Sequence, residues 1–320
     1  MIYTFGCSAT KWYWPTWSDW LEVYAGPVTN YGYKGYSNDN IYWTLLEKIL
    51  GISPNDHVII MWTQNHRMST WYDEDWINEK DVKGFFPNTN GKLWFTESQD
   101  YRGMYRTHPD YQPSLTQFVV NQFQTIYNTQ LLLEKHNCNY TMLFFHNPFL
   151  DCRPKYLPDF QIVWDKKTTT GITKEEIDFA KHVLSLKPIK KLFDLINWDK
   201  FETAPNDRFE PTDYSGIVEY AINKKYLLYS HDNDPHPVAL ASHDFALEKI
   251  LKVDPRFGQH RNTAIDISRQ AMTIEIPKFT EYDYVADPTD KLLDSQFYNI
   301  LNKHKEHTHG HGASGDIFSR

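Results

Sequence analysis

Long apolar runs are missing from this sequence, and so is any excess of positive charge. No stretch of about 18 or more apolar residues occurs, so we expect no transmembrane helix. The formal net charge of −8 argues against a protein that binds nucleic acid mainly through phosphate contacts. The first residues also lack a basic segment followed by an apolar segment and a cleavage site. We therefore expect no secretory signal peptide and a cytoplasmic location.

Cysteine is scarce as well. The three cysteines, Cys7, Cys138 and Cys152, are odd in number and lack the spacing of a metal site, so we expect no disulfide framework. Reduced thiols fit a cytoplasmic protein. Four histidines stand close together near the end of the chain: His304, His307, His309 and His311. We interpret them as part of a flexible tail, because Gly310, Gly312 and Gly315 give no fixed geometry, and binding of a divalent metal is the alternative. The sequence thus predicts neither a metal nor a cofactor.

Aromatic residues, by contrast, are abundant. The chain has 11 Trp, 21 Tyr and 19 Phe, and some stand in surface-like contexts such as WYWPTWSDW. Packing in the core and loops is the favoured explanation, and stacking on sugars or bases is the other. Residues 68–113 are rich in Trp, Tyr, Asp, Asn, Gly and Pro and have weak periodicity. We interpret this segment as a long excursion that forms a lid or rim.

Strand-like and helix-like segments alternate along the chain, which favours an α/β protein with a mainly parallel sheet. Predicted strands are Ile2–Phe5, 58–62, 140–145 and a weaker one at 226–229. Predicted helices are 17–24, 40–50, 114–136, one that starts at 173, 239–251 and 290–304. We predict an α/β domain over 1–253 with 68–113 inserted, a C-terminal extension with a helix over 254–303, and a His-rich tail over 304–320.

The first strand ends at Gly6-Cys7-Ser8, which places a hydroxyl where ligands collect in an open parallel sheet. A serine nucleophile needs a base to remove its proton and donors for the oxyanion that forms. Gly6 would let the backbone turn sharply after the strand. Cys7 most simply packs inward as a small apolar side chain, and a thiol nucleophile is the alternative.

The base candidate is His236, which stands in Asp234-Pro235-His236-Pro237 just before a predicted helix. The flanking prolines stiffen this loop. Either Asp234 or Asp232 could accept the other ring N–H and fix the tautomer. If this histidine is considered alone, the alternative is an ordinary exposed polar residue in a loop.

The donor candidates come from two other strand ends. Asn30 is followed five residues later by Gly35, where a glycine permits close approach of a backbone N–H to a ligand. Asn65 stands just beyond the buried strand 58–62 and could direct its amide into the same crevice. A plain turn around Gly35 and a capping role for Asn65 are the alternatives.

Together these four blocks resemble the SGNH, or GDSL-like, hydrolase family. Gly6-Cys7-Ser8 is similar to the Gly-Asp-Ser block of the nucleophile, with Cys7 in place of the Asp. Asn30 and Gly35 match the second block, and Asn65 matches the Asn of the Gly-x-Asn-Asp block, whose Gly and Asp are missing here. His236-Pro237 matches the Asp-x-x-His-Pro block, although the residue three before the His is Asn233.

The opening GCSATKWYWPTWSDW also resembles a subgroup of this family that is frequent in bacteriophages and marine microbes. In that subgroup an arginine recurs shortly after the third strand, and Arg67 is its counterpart here. The resemblance implies a three-layer α/β/α fold with a flavodoxin-like sheet, and it is compatible with a virus-encoded protein. It covers about residues 2–67 and 226–251.

The resemblance implies a serine esterase that acts on an acylated carbohydrate or another small ester. Ser8 would be the nucleophile, His236 the base, Asp234 or Asp232 its partner, and Gly35, Asn65 and Arg67 the oxyanion site. The alternatives are an inactive relative that binds glycans or belongs to a virion, and an enzyme that transfers an acyl or sulfate group to a polysaccharide. The sequence predicts no nucleic-acid or membrane partner and does not indicate the oligomeric state.

Overall fold

The computed structural model describes residues 1–12, 14–33, 36–63, 115–148, 174–202, 216–226, 236–271 and 299, with three short strands between 71 and 96. The strands are Ile2–Phe5 (β1), Val28–Asn30 (β2), His57–Trp62 (β3), Trp71–Asp73 (β4), Phe85–Pro87 (β5), Leu93–Thr96 (β6) and Asn139–Phe144 (β7). The α-helices are Trp17–Ala25 (α1), Asn38–Lys48 (α2), Leu115–Lys135 (α3), Lys174–Ser185 (α4), Lys187–Leu195 (α5), Ile217–Asn223 (α6), Ala239–Phe245 (α7) and Arg261–Ala271 (α8).

The protein has an α/β fold built on a four-stranded, all-parallel sheet in the order β2-β1-β3-β7. The central strand β3 is apolar along nearly its whole length, and residues 58–62 are fully buried. Such a continuous apolar run is typical of a parallel strand covered on both faces. Phe5 pairs with Ile60, and Trp62 pairs with Phe144. The carboxyl ends of β1, β3 and β7 therefore meet at one edge of the sheet.

Helices cover both faces of this sheet. Alternate residues of β3 divide between two apolar clusters, because successive side chains of a strand point to opposite faces. Ile59 and Met61 pack with α1, α6, α7 and α8. Ile60 and Trp62 pack with α2, α3, α4 and α5 on the other face.

Local capping explains where two helices begin. The Ser37 hydroxyl accepts a hydrogen bond from the Asn40 backbone N–H, and the Asn40 side chain accepts from the Ser37 N–H, which forms a capping box. Helix α2 accordingly starts at Asn38, two residues before the predicted start. Thr16 and Asp19 form the equivalent pair at the start of α1.

The remaining predicted elements have mixed outcomes. The segment 68–113 contains a three-stranded antiparallel sheet in the order β4-β6-β5, and its role as a lid stays a prediction.

Tyr226 follows α6 outside any strand, and 227–229 lie outside the described residues. The same holds for 304–320 and for most of the helix predicted at 290–304. Helix α8 contributes Ala264 and Ile267 to the same apolar cluster as α1. No helix among the described residues has the length and apolar character that crossing a membrane requires.

Candidate active site

The loop after β1 holds Ser8 at the carboxyl edge of the sheet. The backbone N–H groups of Thr10 and Lys11 donate to the Cys7 carbonyl at 2.9 and 3.2 Å, which closes a tight turn around Ser8. Ser8 is only 2% exposed. A Cβ on Gly6 would lie 2.0 Å from Thr10 Oγ1 and 2.9 Å from Thr10 Cβ. Gly6 therefore provides space for the returning loop, rather than the unusual backbone angle that a sharp turn could demand.

The hydroxyl of this loop lies against the imidazole predicted to be its base. Ser8 Oγ lies 2.6 Å from His236 Nε2, and both side chains are buried. This distance confirms the predicted contact between two residues 228 positions apart. In the neutral tautomer with its proton on Nδ1, His236 accepts the Ser8 proton in this hydrogen bond. The pair thus has the geometry required of a serine and its general base.

Two tryptophans of the loop that carries Ser8 also contact the segment that carries His236. The ring of Trp12 lies parallel to the imidazole of His236, with centroids 3.9 Å apart and planes 4° apart. The Trp14 Nε1–H donates to the Pro237 carbonyl at 3.0 Å. This Trp-rich segment stands out in the sequence, but nothing in the sequence assigns either tryptophan to the site. The available signal was the spacing of Trp12 only four residues after Ser8, which does not reveal its partner.

Cys7 packs inward, as predicted from its small apolar side chain. It is fully buried and belongs to the apolar cluster shared by β1, β3 and α1. The Cys7 thiol is therefore part of the core.

Asn30 joins the end of β2 to the loop that carries Ser8. Its Nδ2–H donates to the Thr10 carbonyl at 2.8 Å, and its Oδ1 accepts from the Gly32 N–H at 2.8 Å. A Cβ on Gly32 would lie 2.8 Å from Thr10 Cβ. Gly32, two residues after Asn30, therefore makes room for Thr10 as Gly6 does.

The end of β3 is held by side chains that sequence reasoning missed. Asn38 exchanges two hydrogen bonds with the backbone of Thr63, accepting its N–H at 2.8 Å and donating to its carbonyl at 3.3 Å. The Gln122 Nε2–H donates to the same carbonyl at 3.2 Å. All three side chains are buried. These hydrogen bonds of Asn38 and Gln122, here called the clasp on Thr63, hold the backbone two residues before Asn65.

The other predicted site residues lie outside the described residues. These are the oxyanion candidates Gly35, Asn65 and Arg67 and the carboxylate candidates Asp232 and Asp234. Their roles therefore stay predictions. The structure brings together Ser8 and His236 and describes the supports on either side of them.

A second buried histidine stands at the same sheet edge but is bound differently. His146 follows β7, and its Nδ1 contacts the buried carboxylate of Glu219. The same carboxylate accepts the Asn147 N–H at 3.1 Å. This pair joins β7 to α6, so we assign it a structural role at this edge of the sheet.

The histidine of α7 is likewise engaged by partners of its own. His243 Nδ1 bonds Asp244 Oδ1 at 2.7 Å, and His243 Nε2 bonds Tyr24 OH at 2.9 Å. Asp244 also accepts from Tyr226 and from Arg261. Burial alone would raise the pKa of Asp244, but the hydrogen bonds from these three partners outweigh it and lower the pKa. The network ties α1, α7 and α8 together.

Neither comparison with known proteins supplies a relative. No protein-family model matches this chain, and no curated protein matches it. Function must therefore be argued from the site itself. Within the described ranges, no group of three or more His, Cys, Asp or Glu side chains is placed to hold a metal ion.

Proposed function

We propose that this protein is a serine esterase of the SGNH type. The observation that carries the proposal is the hydrogen bond between Ser8 and His236. It lies at the carboxyl edge of a parallel sheet, where ligands bind in open α/β folds. The strand order and the helices on both faces are those expected of a flavodoxin-like, three-layer α/β/α fold.

The mechanism follows from the positions of the two side chains. Ser8 Oγ attacks an ester carbonyl carbon while His236 Nε2 takes its proton. The imidazolium then gives that proton to the leaving alkoxide, which produces an acyl-enzyme on Ser8. Water then gives a proton to His236 and attacks the acyl-enzyme, and His236 returns that proton to Ser8 Oγ as the acid leaves. Asp234 or Asp232 would hold the His236 tautomer, in keeping with the sequence prediction.

The oxyanion is the second requirement of this chemistry. The proposed donors are the Ser8 and Gly35 backbone N–H groups and the Asn65 amide, with Arg67 as a further cation. Two features of the described residues support this arrangement. Asn30 joins the β2 end to the Ser8 loop, and Asn38 holds the residue that precedes the Asn65 segment. Loss of one such donor typically costs on the order of 100-fold or more in turnover.

The proposed substrate is an acylated carbohydrate or another small ester. Ser8 exposes only 2% of its surface, which favours a small acyl group over a bulky one. Attack on the acyl-enzyme by a sugar hydroxyl instead of water would make the same site a transferase, because both nucleophiles can use His236 as base.

A fluorophosphonate probe tests the proposal, because it forms a covalent bond only with an activated serine. We expect the probe to label the peptide that contains Ser8 and to label neither Ser8→Ala nor His236→Asn. Ser18→Ala is a matched control, since Ser18 is also buried but bonds Thr4 Oγ1 instead of a histidine. If the wild-type protein stays unlabelled but binds saccharides, the esterase proposal is wrong and the glycan-binding alternative is supported.

A further inference from the structure

Aromatic rings contact the candidate base in addition to Ser8: Phe145 lies tilted with its centroid 6.1 Å away, and Trp12 lies closer and flat. The indole of Trp12 covers the face of His236, with 3.9 Å between centroids and 4° between planes. Trp12 is 5% exposed and His236 is 6% exposed. The stack is thus largely shielded from water, where an aromatic face acts most strongly on a cation.

This contact comes from the same loop that carries the hydroxyl. Ser8 meets the imidazole through Nε2, Trp12 meets its face, and Trp14 donates to the carbonyl of the next residue, Pro237. The rings of Trp12 and Trp14 pack edge to face, with centroids 6.0 Å apart. A single short loop therefore sets the distance, the plane and the backbone position of His236.

A second tryptophan–histidine pair in this protein gives a direct contrast. Trp20 meets His243 edge to face at 86°, and both ring nitrogens of His243 have partners in Asp244 and Tyr24. That histidine is held by hydrogen bonds and needs no flat stack. In His236 the contact to Ser8 uses Nε2, and the indole of Trp12 contacts the ring face without occupying either ring nitrogen.

We propose that Trp12 is a positioning residue that fixes the ring plane of His236 and stabilises the imidazolium formed when the Ser8 proton is taken. The inference rests on the proposed function for its catalytic part. The indole face is electron-rich, so it attracts the imidazolium more strongly than the neutral ring. The interaction is therefore stronger in the transition state than in the ground state, which is the condition for accelerating the reaction.

Three variants separate this role from simple packing. Trp12→Leu fills part of the space without an aromatic face, and Trp12→Phe keeps a smaller face. Trp198→Leu removes an indole that packs with Phe123 and Phe193 on the opposite face of the sheet. We expect the rate of fluorophosphonate labelling of Ser8 to fall about 3- to 30-fold in Trp12→Leu. Trp12→Phe should regain most of that rate, and Trp198→Leu should keep it.

Two labelling results would overturn the inference. One is a Trp12→Leu protein that is labelled as fast as wild type, and the other is equal slowing in the Leu and Phe variants. Thermal unfolding of each variant shows whether it is folded. If Trp12→Leu does not fold, the Phe variant decides by the same criterion: labelling slower than wild type by less than about threefold supports the inference, and a larger loss overturns it.

A spectroscopic measurement keeps the inference testable if the proposed function fails. In the NMR spectrum of wild-type protein, the ring protons of His236, assigned by their loss in His236→Asn, should be shifted upfield by the indole. The shift should shrink in Trp12→Phe. Unshifted His236 protons in the wild type would show that the stack is absent, whether or not Ser8 reacts. Shifted protons without any labelling of Ser8 would confirm the stack and reject only the esterase.

Discussion

Asn38 and Thr63 are joined by two hydrogen bonds, in which one amide side chain pairs with both backbone groups of the residue after β3. This pairing continues the ladder of the sheet by one residue with a side chain in place of a strand. It connects the first turn of α2 to the carboxyl edge where the candidate active site lies. The predicted oxyanion residue Asn65 follows two positions later.

Loss of this clasp should affect both stability and activity. We expect Asn38→Ala to lower the free energy of unfolding by about 1–3 kcal/mol, because the buried Thr63 N–H and carbonyl lose a partner. Turnover of p-nitrophenyl acetate should fall in the folded protein as well, since the Asn65 segment loses its anchor. Urea unfolding and steady-state kinetics measure the two effects.

Gln117→Ala is the control for this variant, because Gln117 bonds Asn121 on the exposed face of α3. It should leave both quantities nearly unchanged. An Asn38→Ala protein with wild-type turnover would show that the clasp does not position the site.

The space beside Gly6 gives a second prediction. An alanine at this position would place its Cβ 2.9 Å from Thr10 Cβ and 3.1 Å from the Met61 carbonyl, neither of which can rotate away. We expect Gly6→Ala to lose about 1–3 kcal/mol of stability through overpacking. Gly51→Ala is the matched comparison, because no atom lies within 4 Å of its added Cβ. Equal midpoints of urea unfolding for the two variants would show that the space beside Gly6 is not required by the loop that carries Ser8.

Burial of His57 predicts a pH dependence of stability. Its pKa is lowered from 6.5 to about 4, mainly because burial disfavours the charged ring, with repulsion from Lys200 and the N-terminal amine added. Between those two pH values the unfolded chain binds more protons than the folded chain. The free energy of unfolding therefore rises with pH across this window and falls as the pH is lowered towards 4.

The check compares urea unfolding at pH 7 and pH 5 in wild type and His57→Gln. Glutamine can still bond Thr141 Oγ1, the partner of His57, but does not titrate. We expect His57→Gln to reduce the difference between the two pH values by on the order of 1 kcal/mol. The exposed His182 provides the control variant His182→Gln. If the free energy of unfolding differs between pH 7 and pH 5 by the same amount in wild type and His57→Gln, His57 is not the source of that difference.

The fold could be predicted from the sequence wherever a segment was apolar throughout. Strands β1, β3 and β7 are continuous apolar runs and were predicted within about one residue of their bounds. Strand β2 was missed because three residues, Val28–Asn30, carry no periodicity. Helix α6 was missed for a similar reason, since seven residues hold less than two full turns of pattern beyond their caps.

The site was predictable to the extent that it depends on residue types placed at strand ends. Ser8 was identified by its place after β1 and His236 by its proline-flanked position before a helix, and their contact is present. The tryptophan on His236 and the clasp on Thr63 could not be found, because both depend on the paths of loops and on side-chain rotamers. Asn38 in particular stands in a stretch, Ser37 to Asn40, whose clearest local signal is a helix cap.

The central claim is that Ser8 and His236 act as one catalytic unit, and a double-mutant cycle in ester hydrolysis tests it most directly. Turnover of p-nitrophenyl acetate would be measured for wild type, Ser8→Ala, His236→Ala and the double variant. We expect each single variant to lose about a thousandfold or more and the double variant to be no slower than the slower single one. Losses that multiply in the double variant, or turnover that survives either single change, would contradict the account.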